Sequence, residues 1–354
     1  MPVLDQLDHW PSMDPGSMRL LLELFPDHLK EAAQKGCSVS LTPPVDTRVL
    51  IVTGLGGSAI SGDLVQSIAG PQLRIPLIVN RDYDLPKLVD ASTLVIACSY
   101  SGNTEETLSA YQQARSAKAA IVCITSGGKL ADLAKADANP VLSLPPGLPP
   151  RAALGHSLLT LLAAMQSMQF IPRMDDAVQE TVELLSKLRN LYGVENPEAH
   201  NPAKSLARSL NGKIVVIYGS SGIMGAAAYR WRSQIAENAK NLSFHHVLPE
   251  MNHNELVGWQ FPDEMLQRIG VVFLRDKRDH RQVQRRFDLT REIIAGGAGV
   301  LHEIWSEGDS LLARILSVIY LGDFVSLYLA CLNNVDPTPV QVIDSFKRKL
   351  SSIP

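Results

Sequence analysis

The chain has 354 residues, of which 45% are apolar, so it is long enough for two domains with well-formed cores. Its net charge of -3, with basic residues scattered along the chain, argues against the basic patch typical of a nucleic-acid-binding protein. Acidic residues interrupt the one basic stretch, residues 275–286, and we expect it to be a solvated surface.

Cysteine usage and the N-terminal residues bear on the cellular compartment. The four cysteines, Cys37, Cys98, Cys123 and Cys331, include no CxxC pair, and two of them lie in apolar runs where a free cysteine acts as a small hydrophobe. Residues 1–18 contain acids and lack the apolar stretch of a signal peptide. No uninterrupted run of about 18 apolar residues occurs, so we expect no membrane span and a cytoplasmic protein.

The predicted elements begin with an N-terminal helical segment, residues 1–44. Its stretch MRLLLELFPDHLKEAAQKG has helical spacing and ends at a glycine. Strands and helices then alternate, with apolar runs in RVLIVTG, IPLIVN, STLVIACSY and AAIVCITS. Short buried strands separated by helix-length segments predict an α/β fold, with a parallel sheet covered by helices on both faces.

A cluster of prolines between residues 140 and 150 precedes an apolar helix, RAALGHSLLTLLAAMQSM, and a polar helical stretch that extends to about Asn196. We place the domain boundary there. The first predicted domain therefore covers residues 45–195, and the second covers residues 196–354.

The second half of the chain repeats features of the first half. KIVVIYGSSGIMGAAAYRW corresponds to RVLIVTGLGGSAISGDLVQ, RIGVVFLRD to STLVIACSY, and GVLHEIWSEGDSLLARIL to AAIVCITSGGKLADLA. Three correspondences in the same order indicate a duplicated domain.

The segment CSYSGNTEET, residues 98–107, has no counterpart in the second half. Three hydroxyl side chains, Ser99, Ser101 and Thr104, follow an apolar strand here, and we expect Ser101 or Asn103 to cap the next helix. Ligands of parallel sheets bind at the carboxyl ends of strands, where a helix start offers unpaired N–H groups. The pattern favours a phosphate site. The alternative is a well-capped helix without a ligand, because Ser and Thr favour caps for local reasons.

The glycine turn GLGGSAISG offers a second binding motif. Gly54 and Gly56 follow a strand and open a helix, as in a dinucleotide fingerprint, and Asp82 could then serve as the ribose acid. The spacing departs from G-x-G-x-x-G, however, and the segment CSYSGNTEET would have no role in dinucleotide binding. We therefore favour a sugar hydroxyl or phosphate near the backbone of Gly57 and Ser58.

Several motifs together resemble a known family. In the first half, GGSAISGD, SYSGNTEET, ITSGG and PRAALG resemble a sugar isomerase (SIS) domain. In the second half, RWRSQIAENAKNLSFHHVLPEMNHNELVGW, GDFVSLYLA and DPTPVQVIDSFKRKL resemble the dual-specificity phosphoglucose/phosphomannose isomerases. These are tandem-SIS members of the phosphoglucose isomerase superfamily, and the resemblance extends from about residue 45 to the C-terminus.

The resemblance implies two SIS domains, each a parallel β-sheet between helices in three αβα layers. It also implies a cytoplasmic enzyme without metal or other cofactor. That enzyme interconverts glucose 6-phosphate and mannose 6-phosphate with fructose 6-phosphate through an enediol intermediate. A homodimer with shared active sites is implied as well.

The resemblance assigns the substrate-binding residues motif by motif. Ser99, Ser101 and Thr104 would hold the phosphate group. Gly57 and Ser58 would line the sugar. All five belong to the first predicted domain.

The same resemblance assigns the chemistry. Arg151 of PRAAL would lie beside the developing enediolate, and Glu237 of ENAK would be the base. His253 of MNHNE would open the sugar ring, and the resemblance implies that this residue comes from the partner subunit. Thr338 and Lys347 of the tail would close the pocket, although FKRKL offers other lysine and arginine candidates. A small residue such as Thr338 would leave room for rotation about C1–C2, so that either epimer could form.

The residues alone leave alternatives open. Glu237 shares a helix face with Tyr229 and Ser233, and by pattern it is an ordinary helix glutamate on the surface. Arg151 could equally be a surface arginine at a loop end. The set His245, His246, Glu250, His253 and Glu255 raises a metal alternative, but it lacks a compact ligand spacing in a helical frame. We interpret His245 and His246 as core or surface residues.

Two other functions compete with the isomerase interpretation. SIS domains also occur in non-catalytic regulators that sense sugar phosphates, but no helix-turn-helix pattern with a basic face precedes residue 45. Aminating synthases with SIS halves need a glutaminase domain with an N-terminal cysteine, and Cys37 is internal.

Overall fold

Parallel strands in two sheets form the framework of the chain. The computed structural model describes residues 3–350 and residue 352, and within these residues helices flank both sheets. The predicted α/β class is confirmed. The remaining residues, at the outer ends of the predicted N-terminal segment and second domain, lie outside the described residues.

The four strands of the second sheet follow the same order as the first four strands of the first sheet, which has one further edge strand. The strands are β1 (Val49–Thr53), β2 (Leu77–Asn80), β3 (Thr93–Cys98), β4 (Ala120–Thr125), β5 (Val141–Ser143), β6 (Ile214–Ser220), β7 (Ser243–Leu248), β8 (Ile269–Arg275) and β9 (Val300–Trp305). The first sheet has the order β2-β1-β3-β4-β5 and the second β7-β6-β8-β9, with every neighbouring pair parallel. The carboxyl ends of the strands therefore line one edge of each sheet.

The duplication predicted from the sequence is present in the topology. β6, β8 and β9 take the places of β1, β3 and β4, which confirms the three predicted correspondences. β7 takes the place of β2, a fourth correspondence that the sequence analysis missed. β7 is an edge strand whose middle residues are partly exposed, and its sequence SFHHVL includes two histidines, so it lacks a continuous apolar run.

Helices surround the two sheets. They are α1 (Trp10–Met13), α2 (Met18–Glu23), α3 (Phe25–Gly36), α4 (Gly57–Ala69), α5 (Glu105–Ser116), α6 (Gly128–Ala136), α7 (Leu154–Ser167), α8 (Asp175–Tyr192), α9 (Pro202–Leu210), α10 (Gly225–Ala239), α11 (Asp263–Leu266), α12 (Arg281–Ile294), α13 (Leu311–Leu332) and α14 (Gln341–Leu350). The predicted N-terminal helical segment is thus three helices, the last of which ends at the predicted glycine, Gly36. Asp14 breaks the segment because its carboxylate accepts hydrogen bonds from the N–H groups of Met18 and Arg19, at 2.8 and 2.7 Å.

The chain divides into two compact units. The first-sheet unit comprises Leu24–Leu184 and Gly308–Ala313, and the second-sheet unit comprises the other described residues. The predicted N-terminal segment, residues 1–44, therefore contributes to both units. The predicted domain limits at residues 45 and 195 remain a prediction.

The first-sheet unit has apolar packing on both faces of its sheet. On one face, Ile51, Val95 and Cys123 pack against α5 and α6. On the other face, α4 packs against α7, and the hydroxyl groups of Ser61 and Ser157 lie 2.9 Å apart. Strands β1, β3 and β4 are buried along almost their whole length, which explains their continuous apolar sequences.

α13 is the most apolar helix of the second-sheet unit. By length and composition alone it could cross a membrane, and it is the one such helix within residues 3–350 and 352, but 94% of its most apolar stretch is buried in the fold. Arg314 binds Asp276, and Asp323 binds Arg230, within this buried surface. These two charges interrupt the apolar run in the sequence and are neutralised by partners from other elements.

A pair of histidines lies where α3 packs on α7. The rings of His28 and His156 are 4.8 Å apart, and His156 is 2% exposed. Burial, and secondarily the neighbouring His28, lower the pKa of His156 to about 4 from its ordinary value of 6.5. His156 is therefore neutral in the folded protein at physiological pH.

The fold should lose stability in mild acid because of His156. Its lowered pKa contributes stability above pH 6.5, and this contribution is lost as the pH falls toward 4. From about pH 7 to about pH 5, we expect the free energy of unfolding to fall by about 2 kcal/mol through this group. Urea unfolding of His156→Gln should show a weaker pH dependence by that amount. The exposed His200→Gln should retain the wild-type slope, and equal slopes in all three proteins would contradict the assignment.

Candidate active site

The loop that carries Ser99, Ser101 and Thr104 lies at the carboxyl edge of the first sheet. Residues 99–104, hereafter the phosphate loop after the ligand predicted from the sequence, connect the end of β3 to the start of α5. The hydroxyl groups of Ser99 and Thr104 are 2.9 Å apart, and Ser101 is exposed. Gly102 adopts a left-handed conformation with φ +68°, and its N–H donates to the carbonyl of Ser99. The loop folds back on itself, so Ser99 and Thr104 share one side.

The predicted cap of α5 is wrong. The N-cap residue is Thr104, and its side chain makes no capping bond to the helix. Asn103 instead donates to the carbonyl of Ser101 and accepts from the N–H of Lys129, both at 3.1 Å. The side chain of Ser101 accepts from the N–H of Asn103 at 3.2 Å. Because no side chain of the loop caps the first turn of α5, its N–H groups remain suited to an anion.

A second loop, residues 126–128, supports the phosphate loop. The N–H of Leu130 donates to the carbonyl of Gly102 at 2.9 Å. A Cβ atom on Gly102 would lie only 1.7 Å from the carbonyl oxygen of Gly127. The close approach of these two main chains explains the glycine at position 102, whereas Gly127 has space for a Cβ atom and is favoured by its backbone conformation, with φ +150°.

Replacement of Gly102 by alanine should displace the phosphate loop. The overlap with Gly127 adds to the cost of a positive φ, so we expect the free energy of unfolding to fall by about 2 kcal/mol and the KM for phosphosugars to rise about ten-fold. Gly212→Ala is the matched control, because Gly212 has φ +73° and no atom within 4 Å of the added Cβ. Equal effects in the two variants, measured by chemical unfolding and steady-state kinetics, would rule out the packing argument.

The glycine turn lies beside the end of β3 and beside Arg151. A Cβ atom on Gly54 would be 2.6 Å from the carbonyl oxygen of Cys98. A Cβ atom on Gly57 would be 2.9 Å from the carbonyl oxygen of Pro150 and 3.6 Å from the Cα of Arg151. Ser58, in the first turn of α4, is buried. The turn therefore packs against the end of β3 and against the segment that contains Arg151.

Arg151 lies in the short 3-10 helix Pro150–Ala153, immediately before α7. Its side chain is only 5% exposed, so the interpretation as a surface arginine is wrong. The sequence PPRAA carries no direct sign of this burial, because it is equally typical of a solvent-exposed loop end. The first-sheet unit thus brings Gly57, Ser58, the phosphate loop and Arg151 to one edge.

Glu237 lies in the last turn of α10, in the second-sheet unit, and is half-buried. It lines a cavity of about 1010 Å³ together with Arg232, Lys240 and His245. The residues after α13, including Asp336 and Pro339, form another wall of this cavity. The predicted helix face is confirmed, since Tyr229, Ser233 and Glu237 lie at four-residue spacing within α10.

The two adjacent histidines of β7 have structural partners. The ring of His245 stacks on Tyr229 with centroids 5.0 Å apart. Burial, and secondarily the charge of Arg232, lower the pKa of His245 to about 4. His246 Nδ1 lies 3.5 Å from Glu255. No group of three His, Cys, Asp or Glu residues suited to a metal occurs within residues 3–350 and 352, so the metal alternative gains no support from this cluster.

His253 is exposed in the short helix Glu250–His253 that follows β7. The residues around it are fixed to strand β6 and to helix α12. Tyr218 of β6 donates a hydrogen bond to Glu255, and Trp259 Nε1 donates to the Tyr218 hydroxyl at 3.1 Å. Asn252 donates to the hydroxyl of Thr290 at 2.8 Å. These anchors on both sides present His253 at the surface of its unit.

The two predicted tail residues have different environments. Thr338 is half-buried, and its N–H donates to Asp336 at 2.9 Å. A Cβ atom on Gly16 would lie 2.3 Å from the Thr338 hydroxyl, so the loop packs closely on the N-terminal helices. Lys347 is exposed on α14, a helix without buried residues. The structure places Lys347 and His253 outside the cavity that Glu237 lines.

The chain matches models of two related domain families. Residues 46–140 match the SIS domain, and residues 199–350 match the bacterial phospho-glucose isomerase C-terminal SIS domain. The expectation of two SIS domains is confirmed. A glucose-6-phosphate isomerase like protein from Thermus thermophilus shares the fold, with a TM-score of 0.63, 19% identity and coverage of 98% of this chain and 99% of that one.

Curated relatives are similar over nearly their whole length. A bifunctional phosphoglucose/phosphomannose isomerase from Caldicellulosiruptor bescii is 47% identical over 330 residues, which cover 93% of this chain and 97% of the relative. Another of that description, from Aquifex aeolicus, is 35% identical over 85% of this chain and 90% of its own. The chain is thus an enzyme of the isomerase class, and it belongs to the family of bifunctional phosphoglucose/phosphomannose isomerases.

Proposed function

We propose that the chain interconverts glucose 6-phosphate and mannose 6-phosphate with fructose 6-phosphate. The observation that carries the proposal is the convergence of the phosphate loop, the glycine turn and the buried Arg151 at one edge of the first sheet. Relatives described as bifunctional phosphoglucose/phosphomannose isomerases support the choice of substrates.

The phosphate group of the substrate is bound by neutral donors. Ser99, Ser101 and Thr104 supply hydroxyl groups, and the first turn of α5 supplies N–H groups and the positive end of its dipole. Gly57 and Ser58 line the sugar, where the absence of a side chain on Gly57 permits close approach of the backbone. Such a site binds a dianion without a strongly basic surface.

Glu237 is the base in this proposal. Its carboxylate removes the proton from C2 of the open-chain aldose, and the electron pair of that bond forms the enediolate. The proton of the C2 hydroxyl passes to O1, and the protonated Glu237, whose proton exchanges with solvent, protonates C1 to give the ketose. Negative charge develops on oxygen in the intermediate, and the fixed guanidinium of Arg151 stabilises it. A buried arginine suits this role because its geometry is already set and little solvent competes for it.

The remaining roles complete the reaction. His253 opens the sugar ring, because imidazole exchanges protons near neutral pH. We further propose a cytoplasmic homodimer with shared active sites, in which the tail residues Thr338 and Lys347 close the pocket. Glucose and mannose phosphates differ only at C2, and both lose that stereocentre in the enediol. Because the C1=C2 bond of the enediol is a double bond, rotation about the C2–C3 single bond, rather than about C1–C2, presents either face of C2 to Glu237 and gives either epimer.

A coupled assay of the purified protein with glucose 6-phosphate and, separately, mannose 6-phosphate tests the proposal. We expect formation of fructose 6-phosphate from both, unaffected by a chelator, since a carboxylate base and a fixed guanidinium suffice for the proton transfer. Turnover of neither substrate, with retained binding, would instead favour a non-catalytic sensor of sugar phosphates. Loss of activity with the chelator would indicate a metal-dependent reaction.

A further inference from the structure

Tyr100 is the second residue of the phosphate loop but takes no part in the proposed phosphate contacts. Its side chain is 8% exposed. Its carbonyl accepts from the N–H of Ser126 at 3.0 Å and from the hydroxyl of Ser126 at 2.6 Å. The main chain of the phosphate loop is therefore held by the second loop, independently of the phenol group.

The phenol group of Tyr100 connects to a different segment. Its hydroxyl donates to the carbonyl of Pro145 at 2.7 Å and accepts from the N–H of Leu148 at 2.8 Å. Burial raises the pKa of Tyr100, so the phenol stays protonated and can donate. One side chain thus joins both ends of the turn formed by residues 145–148.

This turn cannot be fixed by a regular hydrogen-bond ladder. The segment PPGLPP, residues 145–150, contains four prolines, which have no N–H group to donate. Leu148 is one of the two residues of the segment with an N–H, and that N–H is bound by Tyr100. The phenol therefore supplies an anchor that the backbone of this segment is poorly able to provide.

The anchored segment leads directly to Arg151. The N–H of Ala152 donates to the carbonyl of Pro149 at 2.8 Å, so the turn that contains Arg151 is closed by the same segment. Gly57 packs against the carbonyl of Pro150 on the other side. A shift of residues 145–149 would thus move Arg151, and a misplacement of about 1 Å at a reacting centre can cost about 100-fold in rate.

We propose that Tyr100 is a positioning residue that fixes the segment carrying Arg151 to the phosphate loop. It couples the part of the site that holds the phosphate to the cation that stabilises the enediolate. The inference rests on the proposed function and extends it to a residue that makes no contact with the reacting atoms.

Tyr100→Phe tests this role because it keeps the ring and removes only the hydroxyl. We expect kcat to fall about ten-fold with both aldose substrates, while the Kd of glucitol 6-phosphate, which cannot be isomerised, changes by less than about two-fold. Tyr111→Phe is the matched control. Tyr111 is also buried in the first-sheet unit, and its hydroxyl also makes two hydrogen bonds, to Asp137 and from Asn139 at 2.8 and 2.9 Å. We expect it to lose thermal stability to a similar extent and to keep the wild-type kcat.

A double-variant cycle with Arg151→Gln separates positioning from a general loss of structure. If Tyr100 acts through Arg151, adding Tyr100→Phe to Arg151→Gln should change kcat by less than about two-fold. An undiminished ten-fold effect in that background, or a loss of glucitol 6-phosphate binding in Tyr100→Phe, would overturn the inference. If the wild type is active and Tyr100→Phe has the wild-type kcat, the inference about Tyr100 is also overturned, but the proposed function is not affected. An inactive wild type would overturn the proposed function itself.

Discussion

Replacing Glu237 by glutamine is expected to lower kcat by about 100-fold to 10,000-fold for both aldose phosphates. Glutamine keeps the size and hydrogen-bonding ability of the side chain but cannot accept a proton from carbon. Because Glu237 is half-buried in the last turn of α10, the isosteric change should disturb packing little. The measurement is steady-state kinetics together with calorimetric binding of glucitol 6-phosphate, whose Kd should remain within about two-fold of the wild-type value.

The control for this variant is Glu292→Gln. Glu292 is an exposed helical glutamate on α12, in the same unit as Glu237, so the substitution makes the same chemical change away from the cavity that Glu237 lines. We expect its kcat to equal that of the wild type. A wild-type kcat for Glu237→Gln would show that another group moves the proton.

Replacing Asp323 by asparagine is expected to lower the free energy of unfolding by about 3–5 kcal/mol. Asp323 on α13 accepts two hydrogen bonds from Arg230 on α10, at 2.7 and 3.1 Å, and the side chains are 2% and 3% exposed. The variant would leave a buried guanidinium without a counter-charge. Urea unfolding of the intact chain measures the loss.

Two controls distinguish this effect from simple removal of an acid. Asp175→Asn breaks an exposed pair with Arg173, and we expect it to change stability by less than about 1 kcal/mol. The double variant Arg230→Met and Asp323→Leu removes both buried charges and should recover most of the lost stability. A loss below about 1 kcal/mol in Asp323→Asn, or no recovery in the double variant, would contradict the account.

This buried pair also bears on the proposed base. α10 is fixed to α13 by Arg230, by the indole N–H of Trp231 to the carbonyl of Val318 at 2.9 Å, and by Asn238 to Ser326 at 2.9 Å. Asn238 follows Glu237 directly. The network therefore holds the helix end that carries Glu237, which is the geometric requirement for a base that must address two neighbouring carbons.

Most of the fold could be predicted because its strands have strong local patterns. β1, β3, β4, β6 and β8 are continuous apolar runs buried in parallel sheets, and such runs indicate buried strands in a sequence that alternates with helices. β7 escaped the comparison of the two halves because an edge strand needs fewer apolar residues. The division of the N-terminal helices also depended on a local hydrogen bond, from the N–H of Met18 to the carboxylate of Asp14, that spacing alone did not reveal.

The candidate site was less predictable because its details depend on contacts between distant segments. Asn103 has the right chemistry for a helix cap, yet it binds the N–H of Lys129 from the next loop. Tyr100 lies between two serines in the sequence, and only the fold shows that its phenol binds Pro145 and Leu148. Arg151 is likewise buried in the fold, with Gly57 packed against its backbone and that of Pro150, and no pattern within PPRAA indicates this.

The exchange of hydrogen with solvent tests the central claim most directly, namely that one carboxylate moves a proton between adjacent carbons through an enediol. Fructose 6-phosphate would be equilibrated with the enzyme in D2O and followed by proton NMR. The account predicts deuterium at C2 of both glucose 6-phosphate and mannose 6-phosphate, and no incorporation with Glu237→Gln. Formation of both products without deuterium at C2 would indicate a direct hydride shift and would contradict the account.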